Sequence, residues 1–381
     1  MGALDGLKIL DFTALLPGPF ATMMLADLGA DVIKIWNPDH GDLIADWPPK
    51  IEGTDTTAVQ AWLERNKRSI FLNLKKEESV GIVKKMVSEY DIVIEQFRPG
   101  VMDRFGLGYE ELRKINPGLI YCSLTGYGQT GPLRDRAGHD CNYLARSGIL
   151  DAAGRKDSGP SLYNFQIAGV ASGSHHAVIG ILAAVYHRER TGEGQRIDIS
   201  MNDGLIPFHS MDGVSYLAGA EAPKREGGQV NGGGIYDFYE TADGGYMSVG
   251  SLEPKFFAGL CQALGFEQWS DGGEYQKHPQ RVKQAFRERF LSRTKEEWTE
   301  IFKTYDVCVE PVLTLEEAIR DEQLNQRQMW PEVPLFSKEK RTIRQPGCPI
   351  KLSQTPPEYR HAGYPQGYHT EEILKPYRES E

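Results

Sequence analysis

Five short β-rich runs, separated by helical or loop stretches, fill the first 125 residues, and this alternation restricts the fold more than any other feature of the chain. LKILDF (7–12), DVIKIW (31–36), SIFLNL (69–74), DIVIEQF (91–97) and LIYCSL (119–124) read as strands. FATMMLADL (20–28), EESVGIVKKMVSEY (77–90) and YEELRKI (109–115) between them carry helical apolar spacing. Pro19 near the first turn and Gly29 just past the end bracket the first of these helices. Strands that alternate with helices pair in parallel through right-handed crossovers, so the reading is α/β, a doubly wound parallel sheet.

The pattern changes further along. FQIAGVASGSHHAVIGILAAVYHRER (165–190) reads as a long helix rich in small residues, which let another backbone come close. QRIDISM (195–201) is a further strand and REGGQVNGGG (225–234) a glycine-rich loop. IYDFYETADGGYMSVGS (235–251) reads as a hairpin turning at Asp-Gly, followed by helical patterns at 254–264, 279–291 and 294–304. The expected organisation is a large Rossmann-like α/β domain over 1–204, a smaller α+β domain over 205–325, and a Pro-rich, irregular segment over 326–381 with a helix start at 369–374.

Composition narrows the function. The 381 residues hold 43 Lys and Arg against 53 Asp and Glu, a net charge of −10, with the basic residues dispersed, so no nucleic-acid footprint is expected. No secretory leader is read at the start, and no apolar run approaches the roughly 18 residues of a membrane span. The five cysteines (122, 141, 261, 308, 348) are widely spaced, without a CxxC pair, and read as reduced thiols in a cytoplasmic protein.

GYGQTG (126–131) matches a dinucleotide fingerprint literally, but Pro132 and LRDRAGHD follow where a helix should open, so a tight glycine-rich connection is the better reading. His175 and His176 point about 100° apart on a helix and cannot chelate one ion, and no metal site is expected. His139 and Asp140 sit in a loop beyond the fifth strand, where α/β folds gather catalytic groups, and a histidine there can carry a proton. Glu253 precedes a helix beginning near Pro254, and capping that helix is its plain role. The pairs Lys67 and Arg68, Lys75 and Lys76, and Arg98 and Arg104 follow strands or open helices, where phosphates bind readily.

Taken together, GLKILDFTALLPGPFATMMLADLGADVIKI, NKRSIFLNLK, IVIEQFRPGVMDRFGLGYEELRKINPGLIYCSLTGYGQTGP, AGHDCNYLARSG, GILAAVYHRERTGEGQRIDISM and YMSVGSLEPKF resemble the family III CoA-transferases, the carnitine, formyl-CoA and bile-acid group. The GHDxNY and EPxF elements are most similar to the α-methylacyl-CoA racemase branch. The resemblance implies a coenzyme A thioester as substrate, with a carboxylic acid as its partner and no tightly bound cofactor. It also implies an interlocked two-chain ring dimer, whose active site lies where the large domain of one chain meets the small domain of the other, with the C-terminal segment returning to the large domain. Leu72, Lys75, Gln96, Phe97, Arg98 and Arg104 would hold the CoA nucleotide and phosphates. His139, Asp140 and Tyr143 would approach the thioester, Glu253 would reach in from the small domain, and GGQVNGGG would be the mobile loop.

One position departs from the pattern. The family's central aspartate opens the small-residue helix, and counting back eleven from Gly180 or four from Gly173 lands on Gly169. Neither Ala168 nor Val170 is acidic, so a shift of one residue does not supply the carboxylate. In the transferases that Asp is the nucleophile on the thioester, and in the racemases one of two opposed bases; glycine can be neither. The expectation is a chain that lacks the catalytic carboxylate and works with an Asp-bearing paralogous partner. The alternatives are a racemase-like isomerase using His139, or a CoA-thioester binding protein without chemistry. Trp36 also stands where the family has a charged residue after the second strand.

Overall fold

Six parallel strands form the central sheet of the computed structural model, which describes residues 2–337 and 340–378. They are β1 (Lys8–Phe12), β2 (Asp31–Trp36), β3 (Arg68–Phe71), β4 (Ile92–Glu95), β5 (Ile120–Thr125) and β6 (Arg196–Ser200). Their order is β3-β2-β1-β4-β5-β6, every neighbouring pair parallel. The doubly wound α/β reading is therefore correct. Continuous apolar runs such as Ile9-Leu10 and Ile92-Val93-Ile94 are fully buried, as strands covered on both faces must be. Strand order reverses between β1 and β4, and in such sheets ligands bind at the carboxyl ends beside that reversal.

The helix after β1 spans Pro17–Asp27, with Pro at its first turn, a position where the missing N–H is harmless. The long helix runs from Ile167 to Thr191, but Ile167–Ser174 is π-helical and only His175–Thr191 is α-helical. The small residues let neighbours intrude on that stretch. Ser174 donates its hydroxyl to the carbonyls of Pro17 (2.6 Å) and Gly169 (3.1 Å), and Ser172 donates to Met201 O at 2.6 Å. At 25 residues this helix is long and apolar enough to cross a membrane by length and composition alone, where the sequence reading expected no apolar run near that length. Here it is a core helix, burying Ala177, Val178, Ile181 and Ala184, and a Cβ on Gly180 would lie 3.1 Å from Ile197 of β6.

The C-terminal segment closes the open edge of the sheet. His369 N–H donates to Ser69 O at 2.9 Å, Ser69 N–H to His369 Nδ1 at 3.1 Å, and Phe71 N–H to Thr370 Oγ1 at 3.0 Å. Edge strand β3 is thereby sealed against stray pairing. The helix Thr370–Arg378 then drives Ile373 and Leu374 into the core that holds Leu10, Ile33, Ile70 and Met86. Upstream, Arg65 forks onto Asp27 at 2.6 and 2.9 Å and donates to Gln345 and Pro346, pinning the same segment.

The described residues divide into two compact units: 1–147, 164–206 and 322–381 in one, and 148–163 with 207–321 in the other. Residues 148–163, which lie within the range read as the large domain, thus belong with the second unit. That unit has an antiparallel sheet of β7 (Asp237–Glu240), β8 (Tyr246–Val249) and β9 (Val309–Pro311), in order β7-β8-β9. Helices Pro254–Leu264, Pro279–Phe290 and Lys295–Phe302 pack Phe257, Phe286, Phe290 and Trp298 around Tyr239. The tail expected to be irregular contains a short antiparallel pair, β10 (Glu332–Pro334) with β11 (Thr342–Arg344); residues 338–339 and 379–381 of that segment lie outside the described residues.

Candidate active site

The loop after β1 is shaped by charge buried beneath it. Asp11 and Lys34 occupy paired positions on β1 and β2, and the Asp11 carboxylate lies 3.6 Å from Lys34 Nζ and 3.4 Å from Lys67 Nζ. All three side chains are at most 1% exposed. Lys34 donates to Thr13 O and Lys67 to Pro19 O (2.9 Å), while Thr13 and Thr22 donate their hydroxyls to Asp11. Burial pushes the Asp11 carboxyl up, but the two lysines and two hydroxyls outweigh it and hold the group well below the usual carboxylate range. Lys67 and Arg68, read from sequence as phosphate ligands, are committed instead: Lys67 to Asp11 and Glu64, and Arg68 to Asp31 at 2.6 Å.

This loop meets the sequence-predicted position 169. Gly169 is buried in the π-helical turn, and its N–H donates to Asp140 Oδ1 at 2.8 Å. A Cβ placed on Gly169 would find Pro17 Cγ at 3.4 Å, Gln166 Cβ at 3.6 Å and Asp140 Oδ1 at 3.7 Å, all ordinary contacts. Position 169 therefore accepts a first side-chain carbon without a clash. His139 ends the loop after β5, as read from sequence, whereas Asp140 is the first residue of the helix Asp140–Ser147. His139 O accepts from Tyr143 N–H and its N–H donates to Asn142 Oδ1 at 2.9 Å, leaving the exposed imidazole without a hydrogen bond among the described residues.

Tyr143 is fixed rather than poised. Its hydroxyl donates to Gly138 O at 2.6 Å, its ring stands edge-on to Tyr127 at 5.2 Å, and burial pushes its phenol up to about 12. A Cβ on Gly126 would come within 2.6 Å of that ring, and one on Gly138 within 2.7 Å. Gly128 takes φ +80 beside Asp198, which accepts from Gln129 N–H at 3.0 Å. GYGQTG is thus a tight connection around a buried tyrosine, with no helix opening behind it.

The residues expected to hold CoA cluster after β3 and β4. Gln96 sits in the crevice at the strand reversal, its Oε1 accepting from Gly18 N–H at 3.1 Å. Phe97 is partly buried against the core. Arg98 is exposed, donating to Asp135 O at 3.5 Å, and Arg104 is exposed at the end of the short helix Val101–Arg104. Lys75 is exposed beside Asn73, whose Oδ1 accepts its N–H at 2.9 Å. Leu72 differs: its side chain is 5% exposed and belongs to the core, so only its backbone is available to a ligand.

In the second unit Glu253 precedes the helix Pro254–Leu264, but its carboxylate makes no capping bond and stays exposed. The glycine loop is tied down: Asn231 accepts from Gly228 N–H at 2.8 Å, Lys283 donates to Gly232 O, and Arg155 bridges Glu226 (3.0 Å) and Asp237 (2.6 Å). Burial raises the Asp237 carboxyl, yet Arg155 and Lys283 bring it below its ordinary value. A cleft of about 720 Å³ opens beside this loop, lined by Tyr163, Tyr236, Phe238, Val249 and Cys308 among others. All five cysteines are free thiols, and no cluster with metal-ligand character occurs among the described residues.

Sequence reading missed Pro17, Ser174, the Asp11 network and Glu95. The signal for the network was present, since Asp11 and Lys34 are opposite charges inside apolar strands. Glu95 ends β4; its carboxylate accepts Phe97 N–H at 2.8 Å, and burial pushes it up to about 7 despite that bond and the nearby Ser123 hydroxyl.

The sequence profile of CoA-transferase family III matches residues 4–370. The chain is 34% identical to human α-methylacyl-CoA racemase, with 98% of this chain and 93% of that one covered. It is 33% identical to human succinyl-CoA:glutarate CoA-transferase, covering 98% and 85%. A crystal structure of a CAIB/BAIF family protein from Brucella suis superposes with a TM-score of 0.85 at 30% identity, covering 98% and 99%. The chain belongs to CoA-transferase family III, a family of enzymes.

Proposed function

We propose that this chain is a subunit of an acyl-CoA:carboxylate CoA-transferase, the subunit without the nucleophilic carboxylate, completed by a paralogous chain that carries it. The observation behind this reading is Gly169. It is buried at the head of the small-residue helix, beside Pro17 and Asp140, with space for a first side-chain carbon and no carboxylate of its own. In the proposed reaction the partner's aspartate attacks the thioester carbonyl. A C–O bond forms and the C–S bond breaks, giving an acyl-aspartyl anhydride and the CoA thiolate. The thiolate attacks the aspartyl carbonyl and releases the first carboxylate. The second carboxylate attacks the resulting aspartyl thioester, forming a new anhydride and expelling the thiolate. The thiolate then attacks the new acyl carbonyl, freeing the aspartate. This chain would contribute CoA-binding groups after β3 and β4, and Glu253 with the glycine loop toward an interlocked, shared site.

Native mass spectrometry of the protein from its own host tests the reading. A one-to-one complex with a similar-sized chain bearing Asp at the matching position is the expected result, and a homo-oligomer alone would overturn it. A second reading, a racemase-like isomerase, is favoured by the uncommitted, exposed His139 imidazole and by the 34% identical racemase relative. Exchange of the α-proton of a 2-methylacyl-CoA in D2O by the isolated chain, abolished in His139→Ala, would select it.

A further inference from the structure

Below the Gln96–Arg98 turn lies a small polar cavity that the proposed chemistry does not use. It has a volume of about 10 Å³, the size of one water molecule, and is lined by Glu95, Arg98, Asp103, Tyr121, Gln129 and Arg196, among others. Glu95 is 5% exposed and reaches across to Phe97 N–H. Gln129 is 9% exposed; its Oε1 accepts from Arg196 at 2.9 Å, while Nε2 is buried without a hydrogen-bond partner among the described residues. The charges facing Glu95 come from three sides. Arg98 and Asp103 lie on the following turn and helix, Tyr121 and Cys122 on β5, and Arg196 on β6. Among the described residues no cation is within ion-pairing distance of Glu95, in contrast to the two lysines around Asp11.

We propose that this cavity makes coenzyme A binding proton-linked, the Glu95 carboxyl taking up a proton as the ligand's phosphates settle on the turn that Glu95 shapes. The inference rests on the reading of Gln96, Phe97 and Arg98 as CoA contacts. The sign follows from Coulomb's law. An ionised Glu95 directly behind the turn repels an anionic ligand, so binding favours the protonated carboxyl and weakens as pH rises through neutrality. The carboxyl's position near pH 7, set first by burial, puts this change within the physiological range.

The experiment measures CoA affinity by calorimetry from pH 5.5 to 8.5 for the wild-type chain and for Glu95→Gln, which keeps an acceptor for Phe97 N–H. The titration of CoA's own phosphates is common to both proteins and cancels in the ratio. The ratio of wild-type to variant Kd should stay near one at pH 5.5 and rise to roughly threefold to tenfold at pH 8.5. A flat ratio overturns the proposal. Carboxyl 13C NMR of the unliganded protein, assigned by the same variant, separates the two readings. A Glu95 midpoint near 7 with a rising ratio supports the linkage, whereas a midpoint in the ordinary range overturns it while leaving CoA binding intact. Absence of CoA binding at every pH in both proteins overturns the contact reading and the linkage with it. Should Glu95→Gln fold poorly, Ser123→Ala serves as a second variant: it removes a group that favours the ionised carboxyl, so the midpoint should rise and the wild-type pH step should move upward with it.

Discussion

Asp11 and Glu95 stand one register step apart on adjacent strands, since Asp11 pairs with Ile94 and Phe12 with Glu95, and both carboxylates are buried at the carboxyl edge of the sheet. Their electrostatic states are opposite. Asp11 is flanked by two buried lysines and two hydroxyls and stays ionised. Glu95 has a backbone N–H, a serine and a more distant arginine, and burial prevails. Burial of both with unequal pairing gives one carboxylate that is a structural anchor and one that can exchange a proton. What separates them is the second strand neighbour: β2 supplies Lys34 beside Asp11, whereas β5 offers Glu95 only the uncharged Ser123 at the paired position.

The most severe way to break the comparison is Asp11→Asn. Lys34 would be left buried without its counter-charge, and unfolding in urea should show a loss of about 3–5 kcal/mol. The linkage sign is that of a depressed carboxylate: the stabilisation is present above about pH 4, the value in the unfolded chain, and fades as pH falls toward the folded value. Glu95→Gln should do the reverse. A raised carboxyl contributes stability at low pH that disappears between its unfolded value near 4.5 and about 7, so the variant should gain on the order of 3 kcal/mol at pH 8 and nothing at pH 4, measured as the difference between denaturant midpoints. Ser174→Ala, which frees the carbonyls of Pro17 and Gly169, should cost about 1–2 kcal/mol with little pH dependence. Smallest of all, Arg196→Gln removes an exposed charge and should raise the Glu95 midpoint by less than about half a pH unit, an effect that 0.5 M salt suppresses. If that variant instead moved Glu95 by several units, Arg196 would be a true ion-pair partner and the contrast with Asp11 would fail.

Gly169→Asp tests the role proposed for position 169. Its Cβ makes only ordinary contacts, so the variant should fold, and its carboxylate would lie close to that of Asp140, leaving one of the two harder to ionise. Transferase activity from the isolated variant would be expected if the rest of the pocket is intact. A folded, CoA-binding but inactive variant would mean that neighbouring residues have also diverged.

The sequence by itself determined the parallel α/β sheet, because apolar runs of strand length alternating with helical periodicity admit few other folds. It also determined the family, through ordered motifs along nearly the whole chain, and the absence of a carboxylate at position 169. Only the tertiary structure decided which charges are buried and with whom. Lys67 and Lys75 look alike in sequence, yet one is sealed under the β1 loop and the other lies in solvent. Leu72 and Phe97 both follow strands, but the side chain of Leu72 is taken by the core. Asp140 begins a helix while His139 stays in the loop before it, because the backbone N–H groups of Asn142 and Tyr143 already donate to His139 O and close the first turn. Local pattern sets which residues can enter a strand or helix, whereas the free energy of a buried charge depends on partners that the fold brings from distant parts of the chain.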